Sequence, residues 1–298
     1  MRVGICCAGV GAAAAGDFVR RSAQAAERAG FSMFWTGEHV VLFGAYPASK
    51  YPYAGAYGGD VPITNPRDPV ADPLMTMAWA AAATTRMQVG SGIMILPQRN
   101  PVVLAKEVAT LDAFSGGRVV LGVGVGWCKE EYDAVGADWA ARGQRMDEYI
   151  AALRELWRAD RSCFAGETVR FNDTYLYPKP VRDSDVPILI GGESDVALKR
   201  VARAGDGWLA FKLPVADAAA RVAKLKELTK AQDRDPESLR IVTAIFSSTH
   251  TDDLKRYRDA GITEFNLVTA GELPLEEPGL AEGLAGFGHR FVEAVADW

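Results

Sequence analysis

An apolar strand core followed by a helical segment recurs eight times along the 298-residue chain. The first repeat sets the pattern. "VGICC" reads as a buried strand, and "FVRRSAQAAERAG" places Phe18, Val19, Ala23, Ala26 and Ala29 near helical spacing. Gly30 follows where a left-handed C-cap ends such a helix. "FSMFWTGEH", "MQVGSGIMIL", "RVVLGVGVG", "VPILIGG", "DGWLAF", "LRIVTAIFSS" and "ITEFNLVTA" continue the series, each with a helix behind it. Apolar strands interleaved with helices predict a parallel sheet covered on its outside, and eight such units predict an α/β chain closed as a (β/α)8 TIM barrel. A doubly wound open sheet is the rival, but it normally uses fewer strands and often an early G-x-G-x-x-G turn, which "GVGAAAAG" matches only loosely. Barrels of this size are common, so residues 1–298 are expected to form one domain with two insertions. Residues 43–70, rich in Gly, Pro and Tyr, have the length of a lid or binding loop, and residues 162–180 read as a hairpin.

Charge and composition narrow the partners. Lys and Arg total 33 against 38 for Asp and Glu, a net charge of −5, with no basic run of the kind nucleic-acid binding needs. The longest apolar candidate, "LMTMAWAAAA", falls short of the roughly 18 to 20 residues of a membrane span. Cys6, Cys7, Cys128 and Cys163 form no C-x-x-C pair, and three histidines offer no zinc-ligand spacing, so no metal is expected and a reducing cytoplasm fits best. A signal peptide is the alternative for the N-terminus, but its apolar stretch is broken by Gly4, Gly9 and Gly11.

Barrel enzymes gather their chemistry at the C-terminal ends of the strands. That rule selects Cys6 to Gly9, Glu38 and His39, Gly92 to Leu96, Gly124 to Trp127, and the "GGES" of Gly191, Gly192, Glu193 and Ser194. His39 is suited to passing a proton near neutral pH, or it merely anchors the loop behind it. His250 sits in a helix-capping neighbourhood, and His289 lies within the last helix. "GGES" opens a helix whose free N–H groups suit an anion, and Ser194 or Asp195 would equally cap that helix. Gly122, Gly124 and Gly126 share one face of their strand. If that face looks inward, it leaves room for something flat; alternatively, the glycines oppose large neighbours such as Phe34 or Trp35. A Walker loop is excluded, because Gly126 is followed by Trp-Cys-Lys-Glu.

"LPQRNPVVLAKEVATLDAFSGGRVVLGVGVGW" with the following "KEEY", His39 upstream and "GGES" downstream resembles the bacterial luciferase-like family of flavin monooxygenases and deazaflavin-dependent oxidoreductases, over nearly the whole chain. The resemblance implies a barrel that holds FMN or the deazaflavin coenzyme F420 at its C-terminal mouth. It implies a strand bulge with a cis peptide at Gly92–Ile93 behind the ring, Gly124, Gly126 and Trp127 walling the ring, Gly191 to Ser194 meeting the phosphate, and His39 beside the ring. One departure matters: Trp127 stands where deazaflavin-dependent sugar-phosphate dehydrogenases carry a glutamate proposed as proton donor, which leaves Glu38, Glu130 and Glu131 as local acids. The subtype looks more like the F420-dependent members, implying hydride transfer to or from a small organic substrate. The alternatives are an FMN-dependent two-component monooxygenase supplied by a partner reductase, and a non-catalytic ligand-binding barrel. Relatives form dimers through helices near "DPLMTMAWAAAATT", so the resemblance implies a homodimer, whereas burial inside the monomer explains the same alanines equally well. Tyr46, Tyr51, Tyr53 and Tyr57 suggest an apolar or planar ligand, or simply pack the lid.

Overall fold

The computed structural model describes residues 1–53, 63, 65–269 and 271–298. In chain order the elements are β1 (Arg2–Cys6), α1 (Gly16–Arg28), β2 (Met33–Thr36), α2 (Pro73–Ala83), β3 (Gln88–Ser91), β4 (Met94–Ile95) and α3 (Pro101–Ser115). Next come β5 (Val119–Gly124), α4 (Lys129–Ala134), α5 (Arg142–Arg158), β6 (Ser162–Ala165), β7 (Arg170–Thr174), β8 (Ile188–Gly191) and α6 (Asp195–Ala204). The chain closes with β9 (Gly207–Ala210), α7 (Val215–Lys230), β10 (Arg240–Phe246), α8 (Thr251–Asp259), β11 (Glu264–Val268) and α9 (Gly279–Phe287).

The parallel order runs β3-β2-β1-β11-β10-β9-β8-β5, and β5 pairs back onto β3, closing the barrel. β4 is the resumption of β3 beyond a bulge, so eight strand positions ring the axis as the sequence predicts. β6 and β7 form the expected antiparallel hairpin. The alternation has a local cause in each unit. On α1, Phe18, Val19, Ala23 and Ala26 fall on one buried face, and Gly30 ends the helix at a φ of 87°. Asn100 caps α3 by accepting from the N–H groups of Val102 and Val103, and His250 caps α8 through Asp252 N–H, as its neighbourhood suggests.

Side chains alternate along each strand, so the registers Trp35–Gly90–Val120 and Gly191–Leu209–Val242 identify the inward face. There Met33, Trp35, Val120, Leu189, Leu209 and Val242 form an apolar layer across the barrel. Trp35 fits because its facing neighbours lack side chains: a Cβ on Gly4 would lie 2.5 Å from its indole nitrogen, and one on Gly90 2.8 Å from its ring. Below this layer, Glu264 accepts from Arg2 and Arg240, each at 2.6 Å.

The candidate active site at the barrel mouth

The β5 glycines do face inward, but they do not leave an open slot. A Cβ on Gly122 would collide with the Ser91 carbonyl oxygen, and one on Gly124 with the Ile93 side chain. Gly191 on β8 completes the seat, since a Cβ there would lie 2.9 Å from Ile93 Cγ2. The glycine face therefore receives the bulge between β3 and β4, and any ligand space begins above Ile93. Trp35, weighed in the sequence as the partner of these glycines, packs instead against Gly4 and Gly90. The Gly92–Ile93 peptide is cis. Gly92 N–H donates to the Thr36 carbonyl at 2.7 Å, and Ser91 Oγ donates to the Gly122 carbonyl at 2.8 Å.

Glu38 holds the far side of this bulge. Its buried carboxylate accepts from Ile95 N–H and from both Nε (2.9 Å) and a terminal nitrogen of Arg99, which also reaches Asp72 at 2.9 Å. Burial pushes the Glu38 carboxyl above its ordinary range, and the Arg99 guanidinium opposes that shift. Position alone made Glu38 a candidate acid, but the structure engages its carboxylate in this clamp.

His39 lies one residue further on and takes a different partner. Its Nδ1 is 3.2 Å from Glu131 Oε2, while Glu131 Oε1 accepts from Val40 N–H at 2.5 Å and Val41 N–H at 3.3 Å. Glu131 is buried on α4, so the imidazole is held from behind by a fixed carboxylate. Glu130, next in sequence, accepts from Ala48 N–H at 2.8 Å and from the Ser49 hydroxyl, tying the long loop to α4.

Aromatic rings line the mouth. Trp127 meets His39 edge-on at 5.9 Å and also contacts Tyr46 and Tyr51, each at 5.2 Å between centroids. Tyr53 contacts Phe211 at 5.0 Å, and Phe211 contacts Phe246 at 6.1 Å. Burial pushes both Tyr51 and Tyr53 hydroxyls well above the usual tyrosine range, reinforced by the Glu193 carboxylate. Tyr57 lies outside the described residues.

The Gly191–Ser194 turn ends the site on the β8 side. Gly192 has a φ of 111°, which favours glycine, and its carbonyl accepts from Trp208 Nε1 at 2.8 Å. Ser194 caps α6, its Oγ accepting from Ala197 N–H at 3.1 Å. The Glu193 carboxylate turns toward Phe211 N–H at 2.6 Å and the Tyr53 hydroxyl. Arg221 donates to the Glu193 carbonyl and, with Lys224, binds Asp195, whose carboxyl is held down at about 2 by hydrogen bonds from Lys224 and Arg221.

Together these residues enclose a cavity of about 920 Å³ that reaches from Cys6 and His39 to Ser194 and Asn266. It brings together Glu38, His39, Gly92, Ile93, Gly124, Gly126, Trp127 and all four residues of "GGES". The sequence reading missed Arg99, Phe211, Phe246 and Asn266. Asn266 left a signal, as the lone neutral polar residue of the apolar run "EFNLV". Its side chain is buried at the cavity, and among the described residues its Oδ1 has no hydrogen-bond partner.

A barrel with this mouth defines a class of enzymes that work on a ligand held at the strand ends. The chain matches the family described as luciferase-like monooxygenase over residues 1–285 and belongs to it. An uncharacterized Mycobacterium tuberculosis protein is 32% identical over 245 residues, 82% of this chain and 84% of its own. The FMNH2-dependent dimethylsulfone monooxygenase of Pseudomonas putida is 34% identical over 64% of this chain and 48% of its own. The F420-dependent glucose-6-phosphate dehydrogenase of Amycolatopsis mediterranei is 36% identical over 45% of this chain and 41% of its own. Among solved structures, an F420-dependent secondary alcohol dehydrogenase superposes with a TM-score of 0.77 at 19% identity, covering both chains fully. The fold is thus a luciferase-like TIM barrel, in a family of oxidoreductases with F420-dependent and FMN-dependent members.

Proposed function

We propose that this protein binds coenzyme F420 at the barrel mouth and transfers a hydride between it and a small organic substrate. The observation that carries the reading is the His39–Glu131 pair at the cavity wall. Reducing a carbonyl by hydride places charge on its oxygen, which needs a proton; oxidising an alcohol needs that proton removed. Glu131 fixes Nδ1 and leaves Nε2 for the substrate oxygen.

The residues present fit a flat heteroaromatic group with an anionic tail. Ile93, seated in its glycine cup, and the cis peptide form a floor, and Asn266 Oδ1 is an orphaned acceptor for a ring N–H. Gly124, Gly126 and Trp127 flank the floor. The turn Gly191, Gly192, Glu193 and Ser194 leads into α6, whose N-terminal N–H groups at Asp195 and Val196 suit the phosphate. When bound, the coenzyme supplies a carbon centre that gives or accepts hydride. Trp127, Tyr51 and Tyr53 exclude water above it, and Glu38 acts as a positioning residue for the bulge. The likeness to an F420-dependent secondary alcohol dehydrogenase and an F420-dependent glucose-6-phosphate dehydrogenase supports this choice.

The reading extends to a cytoplasmic homodimer fed with reduced coenzyme by a separate reductase. Four free thiols suit a reducing compartment, and among the described residues no helix is long and apolar enough to cross a membrane. Met75 and Trp79 on α2 and Val103 on α3 are 65%, 56% and 55% exposed, supplying an apolar face for a second copy.

The deciding experiment mixes purified protein with F420 or with reduced FMN, each with and without oxygen, across a panel of ketones, enones and alcohols. Saturable F420 binding and oxygen-independent hydride transfer are expected. Oxygen-dependent product from reduced FMN, with no response to F420, would replace this reading with the two-component monooxygenase; no binding of either would leave a ligand-binding barrel.

A further inference from the structure

The cavity has a charge bias that limits what can react in it. Among the described residues no lysine or arginine lines it, and residues 54–62, 64 and 270 contain none either. Among the described residues four carboxylates do line it: Glu38, Glu131, Glu193 and Glu272. Glu38 is neutralised by Arg99. Glu131 is met by two backbone N–H groups and the His39 imidazole, and Glu193 by Phe211 N–H and the Tyr53 hydroxyl. Among the described residues neither has a lysine or arginine within ion-pair distance, so no cation offsets either carboxylate at the cavity wall. Arg221 and Lys224 reach the 193–195 turn from α7 at the rim, where an anionic coenzyme tail would leave, and neither lines the cavity.

The apolar part of the wall is a run of edge-to-face rings. Trp127 meets Tyr51, Tyr51 meets Tyr53 at 5.7 Å, Tyr53 meets Phe211 and Phe211 meets Phe246. Such an arc presents ring faces and edges to a ligand over a wide area, which favours a planar apolar partner.

We propose that the substrate is an uncharged planar carbonyl compound, of the aryl ketone or conjugated enone class, and that phosphorylated and carboxylated molecules are excluded. The carbonyl rests on the hydride-transfer reading above; the charge selection rests on the cavity alone. It separates this chain from any relative that acts on a sugar phosphate. A carboxylate entering the cavity meets Glu131 and Glu193 with no cation to offset them, whereas a cation loses only its hydration.

The test is calorimetric titration of the whole protein with acetophenones carrying a para methyl, carboxylate or trimethylammonium group, with and without F420. The methyl compound should bind tightest, the carboxylate at least about tenfold more weakly, and the ammonium compound between them. In Glu193→Gln the gap between methyl and carboxylate compounds should narrow several-fold, while Glu282→Gln, exposed on α9 and outside the cavity lining, leaves it unchanged. Carboxylate binding within about twofold of the methyl compound, an unchanged gap in Glu193→Gln, or no binding by any of the three would overturn the proposal. If the order holds but F420 does not bind, the hydride-transfer reading fails and the charge selection stands; if F420 binds but the order is lost, the reverse is true.

Discussion

His39 follows β2 and Glu131 lies on α4, and their contact orients one imidazole. The carboxylate is buried and also receives two backbone N–H groups, so it sets the ring rather than following it. Replacing Glu131 with Gln keeps the volume and removes the charge that would stabilise an imidazolium. On the hydride-transfer reading, Glu131→Gln should lower kcat by about 10²-fold and move KM by less than about threefold, measured by steady-state kinetics. A merely structural role would raise KM and lower thermal stability instead. His39 itself was selected from the sequence by the strand-end rule. Its partner was named there only as one of three local acids, because 92 residues separate the pair and no pattern links them.

The bulge between β3 and β4 is the element on which the mouth is built, and the Glu38–Arg99–Asp72 chain pins it. Removing the cation strands a buried carboxylate, so Arg99→Met should cost about 3–5 kcal/mol of stability, read from denaturant midpoints at unchanged slope. A loss below about 1 kcal/mol would show that Glu38 gives up its charge without Arg99. Strands and helices were legible because hydrophobic periodicity repeats in every unit, and Gly30 and His250 sat at the ends it marked. The role of Gly122 and Gly124 was not. Alternation reveals which way a glycine faces, whereas what fills the space depends on the Ser91 carbonyl and Ile93 from another strand. The clamp on Glu38 was hidden for the same reason, since Arg99 is 61 residues away and reaches it only once the bulge is folded.

Across the molecule, the homodimer reading rests on the exposed side of α2 and α3. Met75 and Trp79 are four residues apart on one helical face, and Trp79 is oriented by a 2.8 Å hydrogen bond from its Nε1 to the Gly16 carbonyl. If a second copy covers this face, Trp79→Glu should weaken dimerisation by at least about tenfold, shifting mass toward monomer in light scattering. An unaltered mass in both proteins at the same concentration would remove α2 from the interface. The opposite end of the barrel has a kinetic consequence. Trp35, wedged between Gly4 and Gly90, and the apolar layer around it stopper the barrel beneath the cavity. The cavity is thus closed off from the barrel's far end, and on the hydride-transfer reading a product slow to leave the strand-end mouth blocks the next arrival. On that reading, release through the mouth bears on turnover as much as bond-making does.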